Sequence, residues 1–144
     1  YCRTVAIFKT SVFDGVSTGS FAFHRDGHPF GSFKLLIYVT DVLNETNGPT
    51  SLLPGTHKTL VPGLPDLGSK RQLLVDKYHK NMMIGPSGTM ALFDTSVLHA
   101  GGRTVDGERI VATLQFFPKY SSKLRDRAEA YRFGALEYDV LPKF

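Results

Sequence analysis

Two stretches of the sequence carry residue types whose spacing could do chemistry: His24-Arg25-Asp26, and His99 followed by Ala100-Gly101-Gly102. Phe21 to Asp26 reads as a short strand that stops at Gly27. Strand side chains alternate in direction, so His24 and Asp26 project from one face while Arg25 points the opposite way. An imidazole nitrogen and a carboxylate oxygen are borderline and hard donors, a pair that suits Fe(II) better than an all-sulfur or all-oxygen set. His99 ends a further short strand, Ser96 to His99, and the small residues after it leave room beside a metal. Joined to His24 and Asp26, it completes a facial triad. Three protein ligands leave about three octahedral positions open, two suited to a chelating 2-oxo acid and one to O2.

A 2-oxo acid with a second carboxylate needs a cation at its far end, and a guanidinium fork matches two carboxylate oxygens best. Arg109 opens the strand after His99 and is the candidate, with Arg103 as the rival cation. By parity Thr113 shares the face of Arg109 and can add a hydrogen bond. Tyr38, on the face shared with Lys34, reads as lining the pocket and joins Arg109 and Thr113 as a candidate cofactor contact. Among the remaining histidines, His28 is the only rival ligand, but the Gly27 turn breaks its parity with His24 and Asp26. His57 sits in a Pro-Gly turn, where local backbone hydrogen bonds are expected, and His79 lies among Lys77, Tyr78 and Lys80, where exposure is expected.

These side chains must be positioned by short strands. The first ten residues read as one, and Phe33 to Val42 is the clearest, with Phe33, Leu35, Ile37 and Val39 alternating with Lys34, Leu36, Tyr38 and Thr40. Thr50 to Leu53, Thr89 to Phe93 and Arg109 to Phe117 follow, separated by Asn47-Gly48-Pro49, Pro54-Gly55 and Gly85-Pro86-Ser87-Gly88. Residues 54–70 hold too many prolines and glycines for a regular element and read as a lid-like loop. Helical composition returns at residues 121–133, with a shorter helix expected at 69–78. Strands without an alternating helical rhythm predict a mainly β sandwich or jelly roll with a C-terminal helix.

Composition narrows the class. A length of 144 residues fits one domain spanning 1–144. With 42% hydrophobic and 21% charged residues and no apolar run long enough for a membrane span, a soluble protein without a membrane partner is expected. The net charge of +4 is spread out except for Lys119, Lys123, Arg125 and Arg127, which read as a solvated helix face rather than a nucleic-acid stripe. A single cysteine, Cys2, allows no intrachain disulfide, so the cytoplasm is the default compartment. Beginning at Tyr1 without a leader, the chain is expected to lack some native upstream sequence.

At this point the residues resemble the phytanoyl-CoA dioxygenase family of non-haem iron, 2-oxoglutarate-dependent oxygenases. The stretches that carry the likeness are Phe23 to Gly27, Leu35 to Val42, Asn47-Gly48-Pro49 through Pro54-Gly55-Thr56-His57-Lys58, Gly85 to Thr89, and Leu92 to Gly102. Together they lie within residues 21–118. The resemblance implies a double-stranded β-helix, a cupin-like jelly roll, with His24, Asp26 and His99 on Fe(II) and Arg109 on the distal carboxylate of 2-oxoglutarate. It implies a dioxygenase that hydroxylates a small-molecule substrate and releases succinate and CO2. A carboxylate at Asp26 fits a hydroxylase, since halogenating relatives carry a small residue there. Family members also have a longer N-terminal region than this chain shows. Two rival readings remain from the residues alone: a cupin-like metal enzyme that does not use 2-oxoglutarate, and a non-catalytic β-sandwich binding module with structural histidines.

Overall fold

The computed structural model describes residues 2–12, 19–26, 28, 31–59 and 70–118. Seven strands are present among them: β1 (Cys2–Ser11), β2 (Phe33–Tyr38), β3 (Ser51–Leu53), β4 (Asn81–Met82), β5 (Met90–Asp94), β6 (Leu98–Ala100) and β7 (Glu108–Phe116). One α-helix, α1 (Lys70–Lys77), falls where the sequence predicts a short one. The strands form a four-stranded sheet in the order β1-β7-β2-β5 and a three-stranded sheet in the order β4-β3-β6, with every pairing antiparallel. This is the expected mainly β double-stranded β-helix. The helix expected over 121–133, and the basic cluster of Lys119, Lys123, Arg125 and Arg127, lie outside the described residues, as do residues 60–69 of the loop read as a lid.

Alternation along β2 decides where the core lies. Lys34, Leu36 and Tyr38 face inward, opposite Phe93 and Ala91 on β5 and opposite Gln115, Thr113 and Val111 on β7. Leu36, Tyr38, Val42, Phe93 and Val111 are buried together, with Leu52, Met83 and Ala91 against them. A second cluster lies on the far side of the small sheet, where Leu53 and Leu98 pack against Phe23, Leu74, Val75 and Tyr78. Because Leu53 pairs with Leu98 and Leu52 with His99, the same parity that turns Leu98 toward α1 turns His99 toward the space between the sheets.

The strand expected over Phe21 to Asp26 takes a different form. Gly19–Phe21 is a single 3-10 turn, after which only His24 makes a bridge, to His99. Gly19 has φ +56 and accepts from the amide of Ala22, so the chain enters this segment through a turn rather than a ladder. Its remaining backbone bonds, Gly101 N to Ser20 O at 2.8 Å and Asp26 N to Thr95 O at 3.3 Å, nonetheless keep it alongside β6. It is an irregular fourth strand of the small sheet.

A tight turn carries the chain from the large sheet to the small one just before β6. The Asp94 carboxylate accepts from the amide and hydroxyl of Ser96 at 2.8 and 2.6 Å, and the amide of Val97 bonds the Asp94 carbonyl at 3.0 Å. An aspartate that closes its own turn in this way ends β5 at Asp94 and starts the next strand at Leu98, two residues later than the sequence suggests.

Candidate metal centre

His24 and His99 exchange two backbone hydrogen bonds, His24 N to His99 O at 2.9 Å and His99 N to His24 O at 3.0 Å. Such a reciprocal pair places two residues directly opposite each other on antiparallel segments, so their side chains leave from the same face. Asp26 follows two positions on and joins them. Its Oδ1 lies 3.6 Å from Nε2 of His24 and 3.5 Å from Nε2 of His99. The three donor atoms all lie within 4.8 Å of one another. The imidazole rings stand 4.4 Å apart between centroids, and Phe93 backs His99 at 5.0 Å.

Each imidazole is oriented by its own strand. Nδ1 of His24 lies 2.9 Å from the carbonyl of Ala22, and Nδ1 of His99 lies 2.9 Å from the carbonyl of Val97. A carbonyl only accepts, so each Nδ1 must carry the proton, and in the neutral ring each Nε2 then presents a lone pair. Two lone pairs and a carboxylate oxygen therefore face one point, and Nε2 of His99 is buried without a hydrogen-bond partner. Like-signed donors brought together in a buried site repel unless a cation lies among them. Ligands about 2.1 Å from a metal in adjacent octahedral positions are about 3 Å apart, so the carboxylate oxygen needs to approach each imidazole by only about half an ångström to share an ion with it. The donor set and its second contacts fit a divalent transition metal.

Burial alone would raise the pKa of Asp26, but with no cation between them the imidazoles of His24 and His99, acting as N–H donors toward it, and the charges of His99 and Lys34 outweigh it, holding the carboxyl far below the ordinary range. It is ionised. Lys34 reaches it from β2, with Nζ 2.5 Å from Oδ2. A lysine sharing the inward face of Leu36 and Tyr38 is itself a signal in the sequence, since a lysine is seldom buried unpaired.

No family model matches the chain, and no curated protein matches it. Solved structures share its fold. AviO1 from Streptomyces viridochromogenes Tue57 superposes with a TM-score of 0.64 at 16% identity, over 84% of this chain and 52% of that one. EctD from S. alaskensis, solved with 2-oxoglutarate and 5-hydroxyectoine, gives 0.62 at 24% identity over 80% of this chain and 43% of that one. HygX from Streptomyces hygroscopicus, solved with iron bound, gives 0.59 at 16% identity over 87% and 65%. At such identities the likeness is one of fold. The chain spans between 43% and 65% of the length of these three proteins.

Arg109 lies on the inner face of β7, only 5% exposed. Its NH1 donates to the Gly48 carbonyl, while its Nε is buried without a partner. Burial pushes the guanidinium pKa down and Tyr38 opposes the shift. No carboxylate among the described residues pairs with it. Thr113 is buried on the same face, between Ala6 and Leu36, and its hydroxyl makes no hydrogen bond among the described residues. Arg103, the rival cation, is exposed.

Three expectations change. Tyr38 was expected to contact a cofactor, but it is fully buried; its hydroxyl donates to the Met83 carbonyl at 2.8 Å and accepts from the amide of Thr50 at 2.8 Å. With its one proton committed, its hydroxyl ties β2 to the chain on either side of the small sheet, at Thr50 and Met83. The glycines after His99 serve Arg109 rather than the metal. A Cβ at Gly101 would stand 3.3 Å from NH2 of Arg109, and one at Gly102 would collide with the backbone of Gly48 and Pro49. Finally, Nδ1 of His57 is buried without a hydrogen-bond partner, so the local bonds expected of it are absent among the described residues. His28 packs edge-on against Phe117, at 5.0 Å between ring centroids, and is not one of the three clustered donors.

Arg25, between the two candidate ligands, points away from them as parity requires. Its Nε donates to the Ser96 carbonyl and its NH2 to that of Thr56, both at 2.8 Å. Thr56 is fully buried, and its hydroxyl donates to Leu53 O at 2.7 Å and accepts from Leu98 N at 2.9 Å. The Pro-Gly-Thr-His turn is thus tied both to β6 and to the His-Arg-Asp segment.

Proposed function

We propose that this chain is the metal-binding part of an Fe(II)- and 2-oxoglutarate-dependent dioxygenase of the phytanoyl-CoA dioxygenase type, which hydroxylates a small-molecule substrate. The observation that carries this reading is the convergence of two Nδ1-anchored imidazoles and one ionised carboxylate on a single point. Support comes from the shared fold with proteins solved with iron or with 2-oxoglutarate. Bound Fe(II) with 2-oxoglutarate and O2 would supply the oxidising chemistry, with succinate and CO2 as co-products.

The chain's own residues do the rest. His24, Asp26 and His99 would hold the metal through one atom each. Arg109 has a buried, unsatisfied donor and no acidic partner among the described residues, so a carboxylate placed there gains charge-assisted hydrogen bonds at little cost in ordering. Thr113 adds its hydroxyl from the same face. A buried guanidinium with an unsatisfied Nε and no carboxylate partner among the described residues also favours this reading over a metal enzyme that does not use a 2-oxo acid, which has no need of it.

Anaerobic titration tests the assignment. One equivalent of Fe(II) should bind, and 2-oxoglutarate should then raise a weak visible charge-transfer band. Asp26→Ala should lose stoichiometric iron and succinate formation, and full turnover by this variant sinks the triad. Arg109→Lys should bind iron normally but 2-oxoglutarate about 10- to 100-fold more weakly, the cost of losing charged hydrogen bonds that the fork makes and an ammonium cannot. Unchanged 2-oxoglutarate affinity would remove Arg109 from the site.

A further inference from the structure

Lys34 is a lysine in an unusual place. It leaves β2 on the inward face of the four-stranded sheet, its side chain only 13% exposed, and crosses the sandwich to a carboxylate borne beside the other sheet. Its strand neighbours are Gln115 on β7 and Phe93 on β5. Phe93 is the ring that backs His99, so Lys34 stands level with the cluster of donors.

The two oxygens of Asp26 are thereby given different partners. Oδ1 faces both Nε2 atoms at 3.5 and 3.6 Å, whereas Oδ2 lies 2.5 Å from Nζ of Lys34. Oδ2 has no hydrogen bond of good direction, so this is an ionic contact rather than an aligned donor and acceptor. A carboxylate that offers both oxygens occupies two positions around a metal, and one that offers a single oxygen occupies one. With two imidazoles already bound, that difference leaves either two or three positions for everything else.

We propose that Lys34 is a positioning residue that withholds Oδ2 of Asp26 from the metal, keeping the carboxylate monodentate and the third exchangeable position open. The inference rests on the reading of Asp26 as a metal ligand. A lysine retained merely to strengthen metal binding would be a poor choice, because its own charge repels the cation beside it. Its value lies in the geometry it imposes on Asp26.

Infrared difference spectroscopy on protein labelled with 13C at the aspartate carboxyl reads this directly, as Co(II)-loaded minus metal-free spectra. Monodentate carboxylates show a wide separation between symmetric and antisymmetric stretches, and bidentate ones a narrow separation. The unaltered chain should show the wide separation and Lys34→Met the narrow one. Lys34→Met should also bind Co(II) more tightly, by about tenfold or more, as the Coulomb repulsion is relieved. A lysine with a structural role alone would, when replaced, loosen the metal together with the fold. Lys34→Gln, which keeps a donor for Oδ2 without the charge, should retain the wide separation. A narrow separation in the unaltered chain, or the same separation in Lys34→Met, overturns the proposal. Failure of the unaltered chain to bind Co(II) at all would instead overturn the metal centre itself.

Discussion

At the scale of the residue, charge and direction decide what the centre can hold. The Asp26 carboxyl is buried among groups that favour its ionised form, so its pKa in the folded chain lies below that of the unfolded chain. A group depressed in this way contributes stability that is fully present above its unfolded value, about 3.9, and is lost as pH falls through and below it. Urea unfolding of the metal-free chain should therefore show stability declining below about pH 4. Asp26→Asn should flatten that decline, and an identical slope in the two proteins would mean that the carboxyl is not held in its ionised form. The tautomers are a second residue-scale feature. Ala22 and Val97 each offer a carbonyl two positions before a histidine, so both rings are aimed by their own backbone rather than by a distant partner.

Among the elements, the crossing of two loops seats the cation. Gly48 adopts φ +74 and its carbonyl receives Arg109, while the backbone at Gly102 passes so close to Gly48 and Pro49 that no Cβ fits. Gly102→Ala must push the Asn-Gly-Pro turn away and with it the acceptor of Arg109. Weaker 2-oxoglutarate binding at unchanged iron affinity is the expected outcome, with a loss of stability of about 1–3 kcal/mol from overpacking. Parallel calorimetric titrations of metal and co-substrate measure both, and equal loss of the two would show that the loop crossing supports the whole centre. The Pro-Gly-Thr-His turn works at the same scale, because Thr56 ties it to β6 and to Arg25 at once.

Over the whole molecule, the inner face of the large sheet covers the centre borne by the small sheet, and its outer face carries two apolar rows. Val5, Leu114, Leu35 and Leu92 run across all four strands, as do Ile7, Ala112, Ile37 and Met90. Val5, Ile7, Met90 and Leu92 are each more than 60% exposed, and contiguous exposed apolar side chains of this kind favour association. Val5→Lys combined with Leu92→Lys should reduce light scattering of concentrated protein and leave Co(II) affinity unchanged, because these side chains point away from His99 and Asp26. Reduced metal affinity would show that the two faces are coupled.

The features legible in the letters are local: the shared face of His24 and Asp26, the outward turn of Arg25, the alternating strand of Leu36 and Tyr38, and the turns that bound the strands. Parity and turn chemistry act over a few residues, so they can be read from the letters. Long-range packing sets the pairing of His99 with His24, the reach of Lys34 to Asp26, the bond from Tyr38 to Met83, and the room that Gly101 leaves for Arg109 and Gly102 for the Gly48-Pro49 backbone. Register between strands far apart in the chain, and the destination of a long side chain's head group, depend on how two sheets pack against each other. No local pattern encodes that.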